Sequence, residues 1–544
     1  MSTQSTVTAH ELPPPERVLP KRIALRNLSF ELPVRPPTYL VASIIISIGG
    51  ILFGLDTGCI GPVTSMPEFV KYFGEYSSTM HGLIVSSILI TASVSSLFSG
   101  HLSDKIGRPY AVVIGSTVFS LGAALEAGAV NLPMFICARS VKGVGEGVFL
   151  STLTVYICEI SPAGKRGPLA SIVQFATTLG ICSGFFICYG SVRIPTSMSW
   201  RLPSTVQSVI AITLAASCLT LPPSPRWMIN KSRYADARTA MDRLGLSQAK
   251  LETNPAIAPV TLTESNGSAA GFKSANRFLE TFSKEFRKQT ILGIFLMMMC
   301  QFVGIDGVLY YAPTLFKQAG LSSTKSSFLA SGMTGVLIVV STVPASLLAD
   351  HWDRRTSVIS GGICTGIPML VIGSLYASGH VHAEHGVARW VVITSIYFYV
   401  IAFSVSWAVT IKIYITEVQP ARTRAAASSL AQGANWVANS IIAFTTPIFL
   451  ARSSCGAYFV FSFFAWLTVI ACALYMPETR SRPLESIEAS FNQSVMRTVL
   501  STLIPNRTVR ENKEDDAADS NKAGGVLLEN NISVEEPSVS KTSS

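Results

Sequence analysis

Six charged side chains stand in stretches of this 544-residue chain that are otherwise apolar: Asp56, Glu146 and Asp306, and Arg139, Lys142 and Lys412. A charge in hydrocarbon is costly unless it is paired or faces water, so each implies a partner and a task. An aspartate and an arginine at similar depth can do proton chemistry. Burial favours a neutral carboxyl group and an adjacent guanidinium favours a charged one, so making and breaking their contact moves a proton. Asp56 lies near the outer end of its apolar run and Arg139 a few residues inside the outer end of another. They are the first candidate for such a switch; the alternative is a permanent ion pair that locks two runs together. Lys142 and Glu146 are spaced i, i+4, on the helical face that also carries Arg139. They read either as a self-neutralised pair, with Gly143, Gly145 and Gly147 allowing close packing, or as a proton or solute relay extending from Asp56. The three acids balance the three bases, as buried charges require. Asp306 is the first candidate partner of Lys412.

The elements that must position these groups follow from composition. The chain is 49% hydrophobic and 14% charged, against about 25% charged in soluble proteins. Apolar runs of about 20 residues, each enough to cross a bilayer, recur along it. Twelve are expected, at 38–60, 80–102, 109–128, 133–157, 168–191, 204–222, 289–316, 326–349, 357–378, 388–415, 425–450 and 457–476. The expected fold class is an all-α polytopic membrane protein, and no strand-period alternation suggests a barrel. A polar tail, 1–37, precedes a first six-helix half, 38–222; a charged loop with short helices, 223–288, separates it from a second half, 289–476; and 477–544 is a polar tail, largely disordered by composition. The ten scattered cysteines contain no CxxC pair and read as apolar fillers rather than metal ligands. No cofactor, metal cluster or nucleophile–base motif is evident, which argues against an enzyme. The net charge of +10 lies in particular loops, 103–108, 163–166, 223–288, 351–355 and 421–424, and in the N-terminal tail. That is the pattern of a membrane protein with this side, and both termini, in the cytoplasm, and it removes the reason to invoke nucleic acid.

The halves repeat. "GHLSDKIGRP" (100–109) follows the second run and "SLLADHWDRRT" (346–356) the eighth; "EISPAGKRG" (159–167) follows the fourth and "EVQPARTRA" (417–425) the tenth. Two parallel six-helix repeats around a central cavity are a transporter architecture.

With these motifs the sequence resembles the major facilitator superfamily and, within it, the sugar porters, in the manner of a fungal-type proton-coupled member. "GGILFGLDTG" (49–58), "DKIGR" (104–108), "PPSPRW" (222–227), "QFVGIDGVLYYAP" (301–313) and "PETRSRPLE" (477–485) are similar, in order, to five family motifs. The resemblance implies twelve transmembrane helices in two halves that rock about a central site. It implies proton coupling at Asp56 and Arg139, with Glu146 added by its place beside them. It also implies a solute site at Gln174, Gln301, Asp306, Tyr310, Lys412, Asn435, Trp436 and Asn439. Amide side chains suit hydroxyl-rich ligands because each offers donor and acceptor. Here the family pattern is altered: Cys300 and Asp306 replace a Gln and an Asn, and Lys412 stands where a Trp commonly meets the sugar ring. Lys412 and Asp306 either form an interhelical tie or adapt the site to a different solute, such as one with a carboxylate.

The charged loops resemble an inward-side latch of Asp104, Arg108, Glu159, Arg166, Arg226, Asp350, Arg354, Glu417 and Arg424, although topology alone would also place basic residues there. Pro223 removes one latch carboxylate, and Asp353 replaces a glycine. The implied partners are a small-molecule substrate, protons and the bilayer, with function as a monomer in the plasma membrane. Hexose or polyol uptake is the default. A sugar acid, a cyclic hydroxy acid or an exported metabolite is the alternative, and a nutrient sensor is a more distant one.

Overall fold

The computed structural model describes residues 38–162, 166–246, 280–284, 286–321, 323–348, 351–381, 386–419 and 423–480. They form helices α1 (Thr38–Ser65), α2 (Pro67–Phe73), α3 (Ser78–Ile106), α4 (Arg108–Ala127), α5 (Leu132–Ile160), α6 (Arg166–Ser191), α7 (Met198–Leu219), α8 (Pro225–Asn230) and α9 (Tyr234–Leu244). After the charged loop come α10 (Arg287–Phe302), α11 (Ile305–Tyr310), α12 (Ala312–Gln318), α13 (Thr324–Leu348), α14 (Arg354–Ala377), α15 (Ala388–Val405), α16 (Trp407–Val418), α17 (Arg424–Arg452) and α18 (Gly456–Tyr475). Among the described residues, twelve segments are long and apolar enough to cross a membrane. The short α8 and α9 lie in the loop expected at 223–288; residues 247–279 of that loop, and the tail from 481, lie outside the described residues.

Helix ends are set by local chemistry. Ser77 and Asn131 accept the backbone N–H of Met80 and Met134 at the starts of α3 and α5. Within the spans, hydroxyls turn back onto their own helix, as Ser43 does to the Tyr39 carbonyl and Ser47 to that of Ser43. This hides polar groups that hydrocarbon would not solvate.

Two spans expected to be continuous are broken. The seventh is divided at Gly304, whose φ of +91° favours glycine, into α10 and a second part that holds α11 and most of α12. A Cβ there would also lie 2.5 Å from the Phe461 ring. Tyr399 donates its hydroxyl to the Val303 carbonyl released at the break (2.9 Å). The tenth span divides into α15 and α16 at Ser406, where the Trp407 indole donates to the Val358 carbonyl. Broken helices place backbone polarity and side chains at mid-membrane only where protein or a cavity surrounds them.

Within the first half α1 packs on α6 and α4 on both α5 and α7; within the second α14 packs on α15 and α18. The halves meet where α3 packs on α17 and α6 on α13. In a parallel repeat these two contacts are counterparts, joining the second helix of each half to the fifth of the other. Toward the end remote from loop 103–108 the approach is backbone on backbone. A Cβ on Gly61 would fall 1.9 Å from the Tyr310 carbonyl oxygen, and one on Gly82 2.3 Å from that of Phe444. The halves are therefore closed on each other there.

Candidate functional site

The first cluster lies wholly within the N-terminal half. Asp56 comes from α1, Glu126 from α4, Arg139, Lys142 and Glu146 from α5, and Gln207 from α7; all six are buried. Arg139 approaches both carboxylate oxygens of Asp56 at 3.3 Å and Oε1 of Glu126 at 3.5 Å. Its remaining donors go to the carbonyls of Ile84 and Val85 on α3. Lys142 Nζ lies 2.6 Å from Asp56 Oδ1, 2.5 Å from Glu126 Oε2 and 2.9 Å from Gln207 Oε1. The glycines expected to permit close packing do so: a Cβ on Gly143 would lie 2.2 Å from the Ile88 carbonyl oxygen of α3.

Two expectations are corrected here. Lys142 does not pair with Glu146 along the helix, because Asp56, Glu126 and Gln207 draw its ammonium toward α1, α4 and α7. Oε2 of Glu146 is buried with no hydrogen-bond partner. The charge balance also shifts. Glu126, which the sequence reading missed, makes three acids against two bases in this cluster. Its signal was available, since an acid inside the apolar "LGAALEAGA" is the same anomaly that singled out Asp56.

The second cluster lies on the broken helices and their neighbours. Asp306, in the first turn of α11, accepts from Asn439 Nδ2 of α17 at 2.6 Å, and the same amide lies 3.4 Å from the Tyr310 hydroxyl. Gln301 donates to Asn435 Oδ1 (3.4 Å), and Asn435 donates to the Met297 carbonyl. Trp436 packs edge-on to Phe53 of α1, with ring centroids 5.9 Å apart, so it joins the halves. Lys412, on α16, is exposed and donates to Oε1 of Gln174 on α6 at 2.7 Å, across the interface between halves. The expected Lys412–Asp306 ion pair is not formed: Asn439 holds Asp306, and no carboxylate of the described residues lies within ion-pair distance of Lys412.

The third group lies at the loop end. Arg108 bridges Asp104 (2.7 Å) and Glu159 (3.0 Å), and Arg354 bonds Glu417 (3.1 Å). Each of these pairs joins helices of one half. Arg226 is exposed at the start of α8. Asp350 lies outside the described residues, as do the side chains of Arg166 and Arg424. Residues of the "PETR" motif complete the C-terminal group. Glu478 accepts the first backbone N–H groups of α14, from Arg354 and Arg355, at 2.9 Å each, and Thr479 donates to Glu417. A carboxylate at a helix N-terminus satisfies orphan donors and meets the positive end of the dipole. Asp353, the family departure, pairs with Arg480 at 3.0 Å.

Two repeat-related halves of six spans, with two spans of the second half broken inside the bundle, define a transporter of the major facilitator fold. The chain belongs to the sugar (and other) transporter family, whose pattern matches residues 42–491. It is a multi-pass transporter and not an enzyme. It is 28% identical over 496 residues to the high-affinity glucose transporter of Kluyveromyces lactis, covering 87% of this chain and 89% of that one. Over 443 residues it is 28% identical to the galactose-proton symporter of Escherichia coli, covering 81% and 92%. The inward-open xylose transporter XylE of Escherichia coli shares the fold, with a TM-score of 0.67 at 23% identity over 83% of this chain and 99% of that one.

Proposed function

We propose that this protein is a proton-coupled secondary active transporter, a fungal-type member of its family, that moves a small polyhydroxylated solute of monosaccharide or polyol size by alternating access. The observation that carries this reading is the buried cluster of Asp56, Glu126 and Glu146 with Arg139 and Lys142, one acid in excess, with a carboxylate oxygen of Glu146 unpartnered. A buried uncompensated charge is strongly disfavoured, so one proton neutralises the cluster and its loss favours a rearrangement that readmits water. Asp56 and Arg139 form the switch, and Glu146 is the neighbouring acceptor.

The route from proton to solute runs along α1. Asp56 lies one and a half turns before Gly61, and Gly61 rests on the carbonyl of Tyr310, the residue that ends the short helix carrying Asp306. A shift of α1 is therefore felt at the solute site. Gln174, Gln301, Asp306, Tyr310, Asn435 and Asn439 supply donors and acceptors to solute hydroxyls, Lys412 adds a cation, and Trp436 bears on α1 from the opposite half. The charged clusters at the loop end brace, within each half, the helix ends that form the cytoplasmic gate. Arg108 and Arg354 are buried, which suits ties that persist within each half while the halves move. The names of the relatives, a galactose-proton symporter among them, support proton coupling and a sugar-sized cargo. Both termini are assigned to the cytoplasm and the monomer to the plasma membrane.

The test is uptake of labelled solutes in a host lacking hexose transport, at two external pH values. Wild-type chain gives uptake that rises as external pH falls, and Asp56→Asn loses uphill accumulation while retaining exchange. Saturable uptake indifferent to pH, or unimpaired accumulation by Asp56→Asn, would sink the coupling.

A further inference from the structure

The solute site has more unmet acceptors than a neutral wall would, and one cation, Lys412, that feels Asp306 only at a distance and makes no direct ion pair among the described residues. Gln301 Oε1 and Asn439 Oδ1 are buried with no hydrogen-bond partner, and the Asp306 carboxylate faces the amides of Asn439 and Gln301. Opposite them Lys412 makes one hydrogen bond, to the neutral amide of Gln174, and reaches no carboxylate of the described residues. Arg139 and Lys142 are unavailable to a solute, being buried and held by Asp56 and Glu126. Lys412, by contrast, is exposed.

These needs constrain the ligand. A neutral sugar brings hydroxyl donors for Gln301, Asn439 and Asp306 but no anion in direct contact with the ammonium, whose one hydrogen bond is to a neutral amide. A simple anion satisfies the ammonium and leaves the acceptors empty. Only a solute with both a carboxylate and several hydroxyls answers each group, and an ammonium–carboxylate hydrogen bond is about twice as strong as a neutral one. Resting on the transport reading above, we propose that the cargo is a small polyhydroxylated monocarboxylate, such as a sugar acid or cyclic hydroxy acid. Its carboxylate displaces the Gln174 amide from Lys412 and its hydroxyls donate to Asp306, Gln301 and Asn439. Because Lys412 and Gln174 belong to different halves, the anion also replaces a contact across the cleft, which links its binding to the movement of the halves.

The experiment expresses the full chain in cells that lack hexose uptake. It measures labelled D-gluconate, D-galacturonate and quinate against the neutral D-glucose, D-glucitol and myo-inositol, with surface amount monitored. At least one acid is expected to be taken up and to compete at least tenfold better than its neutral counterpart. Lys412→Gln then lowers acid uptake at least tenfold, Lys412→Arg retains much of it, and Lys412→Trp gains neutral sugar uptake. Saturable uptake of a neutral solute that no acid inhibits, unchanged in Lys412→Gln, overturns the proposal and leaves the transport reading standing. No uptake of any of the six, with the chain at the cell surface, removes both.

Discussion

Glu126 holds the Lys142 ammonium and touches Arg139, so without its charge two buried cations would face Asp56 at the same carboxylate. Breaking a buried pair from one side costs about 3–5 kcal/mol, because it leaves an uncompensated charge, whereas removing both partners costs far less. Glu126→Gln is accordingly expected to lower the thermal midpoint of the detergent-solubilised protein clearly. Adding Lys142→Met should recover most of the loss. A double variant no more stable than the single one would show that the pair is not what Glu126 supports. The charged residues could be found individually in the sequence because each interrupts an apolar run. Their partners were harder to read. Lys142 and Glu146 share a face, yet a long side chain in a helix bundle follows the acids that neighbouring helices present, here one 16 residues away on α4 and Asp56 on α1. The same limit applies to Lys412: its bond to Gln174 spans 238 residues and depends on how the halves meet.

At the scale of elements, the spans were legible from hydropathy, and their halves from the repeated loop motifs. The two breaks were not, because hydropathy continues through Gly304 and Ser406 and only backbone conformation interrupts the helices. Gly304 is fixed twice, by its positive φ and by the Phe461 ring against it. Strained left-handed backbone costs about 1–3 kcal/mol for a residue with a side chain, before any clash. Gly304→Ala should therefore reduce folded protein at the membrane, and relieving the ring contact with Phe461→Ala should restore only part of it. Full restoration would mean that contact, and not backbone conformation, selects glycine. Gly61 tests the closed end of the cleft. Its Cβ would overlap the Tyr310 carbonyl oxygen, so Gly61→Ala should cut uptake more than tenfold at an unchanged surface amount. Uptake equal to wild type would show that the contact does not belong to the transport cycle.

For the whole molecule, the buried cluster and the proposed solute site are different places. The cluster sits inside the N-terminal half, the residues proposed to bind solute lie mainly on the C-terminal half, and α1 touches both groups through Asp56 and Gly61. On the proposed reading, proton occupancy and solute occupancy bias the same rocking equilibrium through α1, which is what coupling requires. It also separates two functions that a variant can dissect. In that reading, exchange of solute needs only the movement of the loaded halves, and net accumulation needs the proton site as well. The direct measurement is made on purified protein in liposomes, comparing solute accumulation driven by an imposed inward proton gradient with counterflow in its absence, for wild type and Asp56→Asn. Wild type is expected to concentrate solute above the outside level until a protonophore collapses the gradient, and Asp56→Asn to show counterflow without accumulation. Equal accumulation by both proteins, or wild-type uptake that only equilibrates despite the gradient, would contradict the coupling.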